Sequence, residues 1–244
     1  MKPQKEVAAA ATAAADLRHK ILSGGLKPGT PLREVVLIQE LSVSRNTLRE
    51  AFLQLTLEGL TEQQLYRGTV VRRIEADEVR DIFVARRAFE FRAIERSSFA
   101  SQEDLAEIKR AVEKAQEFVA QQAWAKAGTA GMEFHQAIVR LLGSRKMDAM
   151  FEVLCAQMRL AFAAFADEGT HQAPWLSRDV EICDYLLQGK RQDALHSMEK
   201  YLDESEQTLL DALRQKGFST SNVESDPTSG SPNEPVDEPR LRWV

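Results

Sequence analysis

Disulfide chemistry has almost no material to work with in this chain. Two of its 244 residues are cysteine, Cys155 and Cys183, and neither stands in a CxxC spacing. That excludes a disulfide framework and a cysteine cage for a metal, and both thiols read as buried groups of a reducing compartment. No run of 18 apolar residues occurs, so no spanning helix of ordinary length is expected. A charged-then-apolar leader is also missing, because Ala8 to Ala15 is too short and too weakly apolar to serve as one. We expect that stretch to be a loose lead into the first helix. Histidines number four, and no nucleophile–base pair is evident, so the chain lacks a catalytic constellation. No internal repeat is visible.

What is present divides unevenly. Through residue 74 there are 11 Lys/Arg against 7 Asp/Glu, about +4, whereas the whole chain is −5, leaving about −9 for the remainder. A basic module joined to an acidic one implies that only the first meets phosphate. Residues 217–244 hold four of the eight prolines, five serines and a net charge of about −3. Such a segment has too little apolar surface to order itself, and we expect it to be disordered. The chain therefore parses as 1–74, 75–216 and an acidic tail, 217–244.

The first module has punctuated helices. Ala13, Leu17 and Ile21 are at helical spacing, and Gly24-Gly25 closes that helix. After Pro28-Gly29, a turn dipeptide, residues Glu34 to Leu41 form a short helix with Val36, Leu37 and Leu41 as its apolar positions. Ser42-Val43 turns the chain, and Ser44 is placed to cap the next helix by accepting from the amide of Asn46 or Thr47. That helix buries Leu48, Phe52 and Leu55, with Ala51 at the tight crossing. Arg45, Asn46 and Arg49 are left at its outward N-terminal end. Two strands, Leu60 to Gln63 and Thr69 to Arg72, follow as a hairpin whose tip is Tyr66-Arg67-Gly68.

This is the pattern of a winged helix-turn-helix, a shape that fits a major groove. Arg donates two parallel hydrogen bonds to guanine or grips a phosphate, and Asn does the equivalent on adenine. The free amides of the first helical turn favour an anion there. An Arg at a hairpin tip suits a narrow minor groove, and Arg72-Arg73 suit the phosphate backbone.

These residues resemble the GntR family of bacterial transcription regulators. Leu17-Arg18, Ile21, Gly24, Pro28-Gly29, Leu32, the Ser44-Arg45…Leu48-Arg49-Glu50-Ala51 run, Leu55, Gly59-Leu60 and Gly68 all fall in register. The resemblance implies DNA contacts at Arg33, Arg45, Thr47, Arg49, Arg67 and Gly68, and the reading of the helix start adds Ser44 and Asn46 to the DNA-binding set. Two positions depart from it. Ser42 stands where relatives carry Gly, and Val35 stands where many carry a basic residue.

From Glu75 onward the pattern is helical throughout, with helices expected at about 76–99, 102–123, 125–142, 145–166, 175–188 and 190–216. Ser101 to Asp104 reads as a capping box, and Gly143, the Gly169–Pro174 region and Gly189 read as breaks. Six helices without a strand pattern make an antiparallel bundle, so the fold class is mainly α. Arg86-Arg87-Ala88-Phe89-Glu90 and Glu133-Phe134-His135-Gln136-Ala137-Ile138 are similar to the FCD effector-binding domain of the FadR-type branch. That resemblance implies a homodimer on a pseudo-palindromic operator in double-stranded DNA, controlled by a small organic acid, in the bacterial cytoplasm at the nucleoid, with no membrane partner.

It also implies a divalent metal held by one Asp and three His. Here His135 is the first His, Gly131 occupies the Asp position, and the other two fall at Asp179 and Tyr201. The set looks degraded, with His135 and Asp179 as the remaining donors. His135 is open to three readings: metal ligand, satisfied core histidine, or, with Tyr201, hydrogen-bond partner of an effector. Arg86 either neutralises an effector carboxylate or pairs with Glu90 four residues on. A DNA-binding architectural protein with a non-functional effector pocket is the alternative.

Overall fold

Alanine is the strongest helix former, and the alanine-rich start of the chain is helix. In the computed structural model, which describes the backbone of residues 4–163 and 168–221, α1 runs from Gln4 to Leu22. Ala10, Ala13, Ala14, Leu17 and Ile21 are all at most 2% exposed. The loose lead expected at Ala8–Ala15 is corrected accordingly. Its small side chains form a flat face against which α3 packs.

Helix α2 (Glu34–Leu41) buries Leu37, whereas Val36, read as one of its apolar positions, is 54% exposed. Ser42 ends α2 in the left-handed region, φ 52° and ψ 42°, with its amide donating to the Ile38 carbonyl. Helix α3 (Arg45–Leu57) starts at Ser44, whose hydroxyl accepts from the Thr47 amide at 3.1 Å. It buries Leu48, Ala51, Phe52 and Leu55 as the spacing requires.

Gly59, at φ +70°, turns the chain into β1 (Thr61–Gln64), which pairs antiparallel with β2 (Gly68–Val71). The register sets Thr61 opposite Val71 and Gln64 opposite Gly68. The segment around Pro31 lines the other edge of β2, through Gly29 N to Val71 O (2.7 Å) and Leu32 N to Thr69 O (2.8 Å).

Residues 72–75 lead straight into α4 (Ala76–Arg96), capped reciprocally by Glu75 and Glu78. A 3-10 turn, Ser97–Phe99, finishes the segment that was expected as one helix to residue 99. Then come α5 (Gln102–Ala120), opened by the Ser101–Asp104 capping box, α6 (Trp124–Arg140), α7 (Arg145–Ala163), α8 (Glu168–Leu187) and α9 (Arg191–Ser221). These six α-helices form the bundle, with α4 against α9, α5 against α6 and α8, and α6 against α7.

Two expectations change. Pro174 does not separate helices but lies inside α8. A proline there removes one backbone bond at about 3 kcal/mol. Burial of Trp175, Leu176, Ile182, Cys183 and Leu186 on the same helix, at roughly 1.5–3 kcal/mol for each large apolar side chain, outweighs it. Residues 217–221 of the expected disordered tail are the end of α9, and residues 222–244 lie outside the described residues.

The head does not hang free of the bundle. One apolar cluster runs from Ala13, Leu17 and Leu55 through Val79 and Phe83 to Phe134, Met158 and Met198. Helix α1 packs on α7, and Gly59 lies so close to the Gln157 side chain that a Cβ there would clash with its Nε2.

Candidate nucleic-acid interface and buried polar cluster

The capped start of α3 brings its polar residues to one exposed edge. Arg45, Asn46 and Arg49 are exposed there, and Arg33, at the N-cap of α2, is exposed too. Both helix arginines lean on one carboxylate: Arg49 Nε donates to Glu34 Oε1 at 3.0 Å, and Arg45 Nε lies 3.6 Å from Glu34 Oε2. Glu34 drew no attention in the sequence, because no local spacing connects it with residues 11 and 15 positions later.

Thr47 departs from the expectation. It is 8% exposed, and its hydroxyl lies 2.8 Å from Oγ of the exposed Ser44, so the two hydroxyls brace the helix start. At the wing tip Tyr66 is 97% exposed and Arg67 is exposed, with Arg67 Nη1 donating to Gln64 Oε1 at 3.1 Å. Gly68, at φ +72°, has open space around it. Arg72, half-buried, pairs its guanidinium with Glu78. Val35 offers a bare apolar side chain, 65% exposed.

In the bundle, α4, α6, α8 and α9 converge on a buried polar cluster. Arg86 Nε donates to Glu90 Oε1 at 2.7 Å, and Glu90 Oε2 lies 2.7 Å from His135 Nδ1. His135 Nε2 is 3.0 Å from the Tyr201 hydroxyl and 3.7 Å from Asp179 Oδ1. The structure thus unites Arg86, His135, Asp179 and Tyr201, each at most 3% exposed. Glu90, fully buried, is the member that sequence reasoning treated only as an ion-pair partner.

Electrostatics assign the protonation states. Burial alone would raise Glu90, but Arg86 and His135 outweigh it and hold its carboxyl below the usual value. Burial lowers His135, favouring the neutral ring. An ionised Glu90 can only accept, so Nδ1–H donates to it and Nε2 accepts from the Tyr201 hydroxyl. Burial also drives Asp179 well above the usual carboxylate range, favouring its neutral form. Tyr201 is driven up by burial and then by Asp179. Among the described residues, Arg86 Nη2 and Asp179 Oδ1 remain buried without a hydrogen-bond partner.

A metal does not fit this arrangement. Both ring nitrogens of His135 are already engaged, and Gly131 supplies no donor atom. The Asp179 carboxylate instead fills the space beside Gly131, where a Cβ would meet its Oδ2 at 3.5 Å. No group of three or more His, Cys, Asp or Glu suited to a metal occurs among the described residues. Nor is either thiol activated: burial raises Cys155 strongly and Cys183 to about 11. No helix among the described residues is long and apolar enough to cross a membrane.

Comparison with known proteins places these features. The family model for bacterial regulatory proteins of the gntR family matches residues 9–71, and the FCD domain model matches residues 81–204. The HTH-type transcriptional repressor RspR of Escherichia coli K12 is 38% identical over 74 residues. That alignment spans 30% of this chain and 32% of RspR, about a third of each. A GntR protein of known structure from Rhodococcus sp. RHA1 is 30% identical, with a TM-score of 0.78 over 83% of this chain and 98% of that one. McbR/YncC of E. coli shares the fold at 19% identity, with a TM-score of 0.71 over 84% and 98% of the two chains. With a winged head and a helical bundle each matched in the same order, the chain belongs to the GntR family of bacterial regulatory proteins, in the branch that carries an FCD domain.

Proposed function

We propose that the protein is a sequence-specific transcription regulator acting on DNA in the cytoplasm. The observation that carries this reading is the exposed set Arg45, Asn46 and Arg49 on the first turns of α3, together with the exposed wing-tip Arg67. The head spans residues 1–74, and the bundle from 75 to 216 supplies dimerisation and effector binding. One winged helix reads too few base pairs for a unique site, so two copies act as a homodimer on a pseudo-palindromic operator. Arg33, Arg45, Asn46, Arg49 and Arg67, with the backbone at Gly68, make the contacts, while Ser44 and Thr47 fix the helix start.

The effector is a small organic acid at the buried cluster. Arg86 keeps one donor open at Nη2, so a carboxylate entering there finds a charged donor without displacing Glu90. His135 and Tyr201 complete the polar wall. Binding shifts the placement of the reading heads, and 1–3 kcal/mol of coupling changes operator affinity by roughly 5- to 150-fold.

The test is retention of fragmented genomic DNA near physiological salt, followed by sequencing, with Arg45→Ala and Arg49→Ala alongside. Sharp peaks over an inverted repeat, lost in both variants while the dimer persists, are expected. Unchanged operator affinity in both variants sinks the assignment.

A further inference from the structure

We propose that Leu65 and Tyr66, at the tip of the wing, form an apolar wedge that enters the minor groove of duplex DNA and unstacks a base step. The proposal rests on the regulator reading. It adds an action on the shape of the duplex, separate from the base and phosphate contacts of the arginines.

The tip is a four-residue turn, Gln64 to Arg67, closed by Arg67 N donating to Gln64 O at 3.2 Å. In a turn of type II the third residue takes positive φ, a place suited to Gly or Asn. Here it is Tyr66, at φ 63°, whereas Leu65 before it has no positive φ. A bulky side chain held there strains the backbone, and strain of this kind gathers at functional sites. The fold gives little in return. Leu65 is 80% exposed and Tyr66 97% exposed, so two adjacent large side chains stand almost wholly in water.

Charge indicates what covers them. Several arginines of the head have a carboxylate of their own: Arg18 has Glu58, Arg45 and Arg49 share Glu34, and Arg72 has Glu78. The wing keeps two that do not. Arg67 and Arg73 are exposed, and no carboxylate among the described residues pairs with either. They converge at Gly29, where Arg67 Nη2 donates to the carbonyl at 3.4 Å and the Arg73 guanidinium lies against the α-carbon. An apolar tip above two uncompensated guanidiniums suits a minor groove. The negative potential there draws arginine, and inserted apolar side chains pry neighbouring base pairs apart. The Tyr66 ring can then stack on the opened base.

The test mixes the full chain, at low salt, with a short alternating A·T duplex carrying 2-aminopurine, a base that fluoresces when unstacked. Anisotropy of an end label reads binding, and the 2-aminopurine signal reads the wedge. Wild type should raise that signal severalfold at saturation. Tyr66→Gly relieves the turn, so it should melt no lower than wild type, yet lose the signal and at least about fivefold in affinity. Leu65→Ser should lose the signal too, and Tyr66→Phe should keep it. Wild type should also prefer an inosine·cytosine duplex, whose minor groove is that of A·T, over a guanine·cytosine duplex with the same major groove. Binding without a rise, an equal rise with Tyr66→Gly, or equal affinity for those two duplexes overturns the wedge and leaves the regulator reading standing. Altered self-association of Tyr66→Gly in light scattering, with its DNA behaviour unchanged, overturns it as well and gives the tip to a second copy of the chain. No binding at low salt removes the regulator reading, and the wedge with it.

Discussion

His135 Nδ1 lies 2.7 Å from Glu90 Oε2, and both side chains are fully buried. Glu90 is the only counter-charge given to Arg86 by a hydrogen bond in this cluster, so removing it strands a buried guanidinium. Glu90→Gln should lower stability by about 3–5 kcal/mol, as for other broken buried pairs. Arg86→Met/Glu90→Gln, which removes the cation too, should cost clearly less. Urea titration of both variants checks this, and equal losses would contradict it.

Protonation of the same histidine predicts a pH dependence. Burial lowers its pKa, so the folded bundle resists protonation more than the unfolded chain does. Its stabilisation is complete above about pH 6.5 and is lost as pH falls through the lower folded value. Glu90, also lowered, adds loss in the same direction at more acid pH. Asp179, raised, works oppositely: its contribution is complete below about pH 3.9 and is lost as pH rises toward its folded value. His135→Gln should therefore flatten the fall in urea midpoint between neutral pH and about pH 5. The same slope in wild type and variant would rule the assignment out.

Glu34 holds the two arginines that face outward from α3. In the proposed complex, DNA phosphates displace it. Glu34→Gln should tighten retention of an unrelated duplex a few-fold and steepen its salt dependence. Fluorescence anisotropy against salt concentration measures both, and an unchanged salt slope would show that Glu34 does not compete.

Ser42 occupies the left-handed region at φ 52° with an exposed side chain. A glycine there removes the clash between Cβ and the following carbonyl but costs some unfolded-state entropy. Ser42→Gly should gain about 0.5–1 kcal/mol. A denaturant midpoint at or below that of wild type would contradict the strain.

Local signals made the head legible. The Ser44 cap, the Leu48–Phe52–Leu55 stripe and the hairpin around Gly68 each rest on residues within a few positions of one another; the first two are found where the spacing puts them, and the hairpin's strands lie one residue away, with Gly68 in β2. Arg86, His135, Asp179 and Tyr201 came together because a family pattern linked them. Glu90 could not be read beyond its i+4 relation to Arg86, since its bond to His135 spans 45 residues. The same holds for Glu34 and for the pairing of the Pro31 segment with β2, which depend on the closed fold. Pro174 misled for a different reason: a local breaker was overridden by the face that α8 buries.

Only residues 72–75 separate β2 from α4, and that joint is pinned by the Arg72–Glu78 pair and the Glu75–Glu78 cap. In the proposed homodimer, two heads carried on such stiff stems do not search for their half-sites independently. One turn of duplex takes about 10–10.5 base pairs, so a single inserted pair swings the second half-site through roughly a tenth of a circle. The spacer between half-sites, whose bases neither head touches, therefore acts as a ruler, and its length should be less forgiving of change than its sequence.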